Sequence, residues 1–84
     1  MQESVIELDQ DFPLFGYKKG DRISVDHSIN PVHGSVVITK VAEHYKVNRF
    51  ERIHEVESLW PPAQHSPIDE ILFGVAIKLE RAID

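Results

Sequence analysis

The chain has 84 residues and a mass of 9.6 kDa, room for one domain, residues 1–84, with 1–4 and 81–84 as ends free to fray; a core this small benefits when a partner covers part of it. Fourteen acidic against nine basic residues leave a net charge of −5 with no basic block, which argues against direct nucleic-acid binding, because neutralising phosphates takes clustered Lys and Arg. There is no cysteine, hence no disulfide framework, thiolate metal site or thiol nucleophile, and no apolar run near the roughly 20 residues of a membrane helix. The expectation is a soluble, cytoplasmic chain without a cofactor.

Ser4 to Leu8 reads as a short strand, broken by Asp9-Gln-Asp-Phe-Pro13, where Pro13 fixes its own φ and pushes Phe12 out of the helical region. Leu14 to Tyr17 is long enough only for a single helical turn or an ordered loop. Lys18-Lys19, the one adjacent basic pair, leads into a Gly20-Asp21 turn. Ile23-Ser-Val25 alternates as a strand, Asn30-Pro31 interrupts, Gly34 turns, and Ser35 to Val41 is again a strand. Ala42 to His44 is a tight connection to a strand from Tyr45 to Ile53, with Tyr45, Val47 and Arg49 on one face and Lys46, Asn48 and Phe50 on the other.

His54-Glu55 predicts a hairpin turn into Val56 to Trp60, which Pro61-Pro62 ends, and Pro61 to Pro67 is a proline-pinned loop. The last segment is the most strongly patterned, with Ile71, Phe73, Val75, Ile77 and Leu79 alternating against Leu72, Gly74, Ala76, Lys78 and Glu80. Its period predicts a strand, with a short helix over Ala76 to Ile83 as the competing reading. The fold class is therefore mainly β, built from short, mostly antiparallel strands, without repeats and without room for a helix-turn-helix module.

The order Gly20-Asp21, strand, Val25-Asp26, Pro31, His33-Gly34, strand, together with Leu59-Trp-Pro-Pro, Pro67-Ile68 and Leu72-Phe-Gly-Val, resembles the C-terminal domain of the LexA/UmuD family, the self-cleaving serine/lysine peptidases of the bacterial DNA-damage (SOS) response. The likeness spans roughly residues 5 to 79. In that family a serine stands nine residues before the glycine of the Gly-Asp turn, and a lysine general base stands in a Val-Lys strand motif. The matching positions here are Asp11 and Asn48, 37 apart as the family spacing requires. A carboxylate has no hydroxyl to activate and an amide is no base near neutral pH; nor does any alanine precede a glycine to form a cleavage site. The resemblance thus implies a pseudo-peptidase, with no catalytic residues.

It also implies function through association. In the family the C-terminal strand pairs with its twin across a two-fold axis, so Leu72, Phe73, Val75, Ile77 and Leu79 are the expected partner-binding residues, although the same pattern suits a strand inside the monomer's own sheet. The leading expectation is a co-repressor that binds a LexA/UmuD-type repressor or UmuD-like protein, with a homodimer as a second expected association; in size and character it is similar to the small co-repressors that act with UmuD-like repressors. The alternatives are a UmuD-like accessory subunit of a translesion polymerase and a residual self-processing peptidase.

Other residues have plainer readings. Asp11 and Asn48 either hydrogen-bond to each other across the former site or serve as a turn cap and a solvent-facing strand residue. The five histidines, His27, His33, His44, His54 and His65, lack metal-ligand spacing and read as scattered surface residues. Asp69-Glu70 reads as the solvated start of a strand, and Trp60 as a packed anchor, with an exposed interface aromatic as the alternative.

Overall fold

A computed structural model of the chain describes residues 2–62 and 68–81. Six strands, β1 (Glu3–Glu7), β2 (Arg22–Asp26), β3 (Val36–Val41), β4 (His44–Ile53), β5 (Val56–Trp60) and β6 (Leu72–Glu80), form one sheet in the order β1-β2-β6-β3-β4-β5, every neighbouring pair antiparallel. The mainly β class expected from the residues is the one that forms. No described helix is long and apolar enough to cross a membrane.

Each hairpin follows from local chemistry. His54 and Glu55 adopt φ of 51° and 65°, and two consecutive left-handed residues make the tight turn whose twist matches the strands it joins. Ala42, at φ 55°, begins the turn between β3 and β4, also of two residues. Between β1 and β2 the chain makes a longer excursion. There Pro13–Phe15 forms one 3₁₀ turn, Phe12 and Tyr17 bridge each other, and Gly16 closes the turn at φ 75°. This meets the expectation of a single helical turn, because Phe12 stays extended before proline and glycine accepts the left-handed exit.

Two apolar clusters lie in the sheet. Ile6, Leu8, Ile23, Val25, Ile38 and Val47 form the first, against which Phe12, Phe15 and Tyr17 of the excursion pack. Val37, Phe50, Leu59, Ile71 and Val75 form the second, with Ile68 of the short helix α1 (Ile68–Ile71) against it. The alternation of β4 divides as expected, Tyr45 and Val47 belonging to the first cluster and Phe50 to the second.

Three expectations are corrected. The C-terminal segment stays extended through Glu80, so there is no helix from Ala76, and β6 lies between β2 and β3 instead of at an edge. The crossing segment between β2 and β3 leaves a slot in the sheet, and the most strongly patterned strand fills it, its backbone polar groups paired on both sides. Nor do its five alternating apolar residues share a face. Phe73 and Ile77 have no partner in the ladders with β3 and β2, where Ile38 faces Gly74 but Thr39 faces Leu72, and Ser24 faces Lys78 but Val25 faces Ala76. Each irregularity reverses the in-out parity. Leu72 and Val75 consequently pack on the second cluster, Phe73 and Ala76 on the first.

The third correction concerns local assignments. Asp69-Glu70 belongs to α1 instead of starting a strand. At the ends, Glu3 and Ser4 lie within β1, and the Arg81 side chain is held by Asp21 and Gly16. His65 and most of the proline-pinned loop lie outside the described residues.

Gly74 shows why β6 fits its slot. A methyl group there would sit 2.5 Å from Val25 Cγ1 and 2.8 Å from the Asp26 carbonyl oxygen. Only a residue without Cβ lets β2 close on β6 at this point.

Candidate functional site

Three surface hollows compete as sites. That of about 400 Å³ is lined by the charged side chains of Glu7, Arg22, Glu80 and Arg81, each with an ion-pair partner, and that of about 390 Å³ has apolar walls from Pro31, Val32, Phe50, Ile68 and Leu72 beside Asn30 and the Arg52–Glu57 pair. The third, about 260 Å³, lies between the 3₁₀ turn, β4 and the Pro61-Pro62 segment, and its walls are mostly apolar: Phe12, Pro13, Leu14, Phe15, Val47, Pro61 and Pro62, with Gln10, Asp11 and Asn48 supplying the polar atoms. An apolar concavity with few polar groups is the form that ligand and peptide sites take.

The 3₁₀ turn shapes one wall. It leaves Leu14 65% exposed at the mouth while Phe15 turns inward to the first cluster and meets Trp60 edge-on, ring centres 6.5 Å apart. The Arg49 guanidinium lies 4.9 Å over the Trp60 ring, a cation–π contact that orients the indole. Trp60 remains 38% exposed, so it is a rim aromatic and the packed-anchor expectation does not hold.

Asp11 and Asn48 both line this cleft, yet they do not bond to each other. Asp11 accepts from the Lys19 N–H at 2.8 Å and so ties the two arms of the excursion together. Asn48, 7% exposed, accepts from the Thr39 hydroxyl at 2.8 Å and donates to the Pro61 carbonyl at 2.8 Å. Both readings made from the residues are thus corrected: there is no Asp11–Asn48 bond, and Asn48 is not solvent-facing. Pro61 covers it, and a buried amide is held where both its ends find partners.

Among the described lining residues Asp11 is the only ionisable group, and none of them carries a hydroxyl, thiol, imidazole or amine side chain. What the cleft can do chemically is receive an apolar side chain, with a carboxylate at the rim for a basic or amide neighbour.

The β6 residues expected to bind a partner are spread apart. Leu72 and Val75 belong to the second cluster, Phe73 is clasped edge-on by His27 and Tyr45 at ring separations of 4.5 and 4.9 Å, and Ile77 and Leu79 are the exposed ones. Four histidines have unrelated surroundings: His27 contacts Ser4 Oγ and donates from Nδ1 to the Phe73 carbonyl, His33 accepts from the Arg52 N–H, His44 meets Asp9 at 3.1 Å, and His54 is in the hairpin turn. No three His, Cys, Asp or Glu side chains gather in a metal-binding group among the described residues.

One polar centre was missed from the sequence. Asp21, nearly buried, accepts from Arg81 Nε at 3.0 Å and from a terminal guanidinium nitrogen at 2.8 Å, and also from the Lys18 N–H at 2.8 Å; Arg81 donates further to the Gly16 carbonyl at 2.7 Å. The Arg81 hydrogen bonds, then that from Lys18, hold the Asp21 carboxyl below its usual range, and Asp21 in turn raises Arg81. Burial, then the Asp21 charge, pushes the Tyr17 hydroxyl up. The Gly-Asp turn was legible, but nothing local pairs it with an arginine 60 positions away. Comparison of the chain with protein-family models, with curated proteins and with solved structures finds no match.

Proposed function

We propose that this chain is a non-enzymatic regulator of the bacterial DNA-damage response, a co-repressor that binds a LexA/UmuD-type repressor in the cytoplasm. The observation that carries the reading is the placement of Asp11 and Asn48. The two positions that resemble the family's serine and lysine, 37 apart in sequence, line one cleft, and what they do there is structural: one ties the excursion, the other pins Thr39 and Pro61. The remaining apolar walls suit a bound segment of another protein better than bond cleavage, which needs an activated nucleophile and a base.

The partner's contacts lie in the cleft mouth at Leu14 and on the exposed end of β6 at Ile77 and Leu79, since the rest of β6 is enclosed between β2 and β3. Light scattering on a sizing column tests this, with the chain alone and mixed with a LexA/UmuD-type repressor from the same cell. The expected result is a mixed species that is lost in Leu14→Asp or Ile77→Lys while both variants keep the wild-type circular dichroism. Absence of a mixed species with the repressor overturns the reading, and a mixed species with a translesion polymerase instead would assign the chain as a UmuD-like accessory subunit.

A further inference from the structure

The sheet has two edge strands of five residues each, β1 and β5, and they differ in what a second copy would meet. In the β4–β5 hairpin the two residues flanking the turn, Ile53 and Val56, are partners, and in a two-residue hairpin that pair exchanges both its hydrogen bonds. Bonded pairs then recur at Glu51 with Ser58 and Arg49 with Trp60. The Phe50 and Arg52 main chains confirm the phase: Phe50 N–H donates to the Ser35 carbonyl and Arg52 N–H to His33, both away from β5. The main-chain groups of Glu57 and Leu59 therefore point outward from the sheet, and no described residue bonds to them.

An antiparallel two-fold pairing of full overlap would join Glu57 of one copy to Leu59 of the other, twice, with Ser58 on the axis. It would also set Val56, 67% exposed, against Trp60 of the second copy, with Ile53, 56% exposed, beside it. Aromatic and β-branched side chains opposite each other are favourable cross-strand pairs. The only charge in the strand, Glu57, is held within its own chain by Arg52 at 2.6 Å, so no like charges oppose. On β1 the equivalent pairing, centred on Val5, would place Glu3 directly opposite Glu7 of the other copy, twice, with only the exposed Arg22, 4.0 Å from Glu7, to offset it, which disfavours it.

We infer that β5 is a self-association edge: two copies of this chain join β5 to β5 across a two-fold axis into a continuous twelve-stranded sheet. The pairing adjoins the cleft at Trp60, whose ring meets Phe15 of the cleft wall, and uses none of the exposed residues at the end of β6. With a charge of −5 on each copy, screening by salt strengthens the pairing.

Sedimentation equilibrium of the full chain across a concentration series to the millimolar range tests the inference. The expected mass rises from 9.6 kDa to twice that value, at lower concentration in higher salt. Glu57→Pro removes an outward N–H without touching the bonds to β4, and Ser58→Lys sets two ammonium groups on the axis; both should remain monomeric with wild-type circular dichroism, while Val5→Lys on β1 dimerises as the wild type does. A wild type that stays at 9.6 kDa throughout overturns the inference. So does a dimer that survives both β5 variants, or one that Val5→Lys abolishes.

Discussion

The seam between β2 and β6 and the cleft beside β4 use polar residues for opposite ends. At the seam everything closes: Gly74 admits Val25 and Asp26 to near contact, and the Asp21 carboxylate takes both nitrogens of an Arg81 fork besides a main-chain N–H. A bidentate, charge-assisted pair of this kind adds geometry as well as attraction. At the cleft the polar group is a neutral amide, and Asn48 ties Thr39 to Pro61 while the apolar wall from Phe12 to Phe15 stays open. The difference teaches where this chain can change. The seam holds the sheet together, and the cleft presents a surface that none of the described residues fills.

The strongest way to break that contrast is at the seam. Gly74→Ala forces a methyl group against main-chain atoms of β2, and chemical unfolding should record a loss of about 3 kcal/mol, as overpacking does in a well-filled interior. A loss within experimental error would mean that β2 and β6 can part cheaply and that the seam is no tighter than the cleft.

At the cleft, Asn48→Ala leaves the buried Thr39 hydroxyl and the Pro61 carbonyl without their partner. The expected cost is about 2 kcal/mol, the usual result of stranding buried polar groups. Crystallography or NMR of the variant should place Pro61 away from β4. An unchanged Pro61 would show that the amide is a passenger in the cleft wall.

The smallest expected effect is a titration. The folded Asp21 carboxyl is held below its unfolded value of about 4, so its contribution is full above that value and disappears as pH falls through the lower folded one. Thermal midpoints should therefore fall as pH drops below about 4, with a shallower decline in Asp21→Asn. Asp26, lowered by its bonds from Ser28, supplies an acid-sensitive share that the variant retains. An identical decline in both proteins would remove Asp21 from the account.

Local signals carried most of the secondary structure. Pro13 and Gly16 bracket the 3₁₀ turn, and the paired positive φ of His54 and Glu55 falls where the predicted hairpin connection was placed. Pro61-Pro62 also ends β5 as expected. The candidate site was legible in part: Asp11 and Asn48 were singled out through the family resemblance, and they do line one cleft. Their bonds were not legible, because Lys19, Thr39 and Pro61 are brought to them by the folding of the excursion and of the sheet. Period-2 counting failed on β6 for a related reason, since an irregularity in a ladder arises between two strands and leaves no mark in either sequence.

By itself the sequence determined that this chain is a small, acidic, mainly β protein of short strands, because φ restriction and alternation act within a few residues. Only the tertiary structure decided that the most strongly patterned strand is interior, that Arg81 closes on Asp21, and that β5, its one charge Glu57 paired with Arg52, lies at an edge. Strand order and long-range ion pairs depend on which distant surfaces bury each other, and that competition is settled by packing of the whole chain.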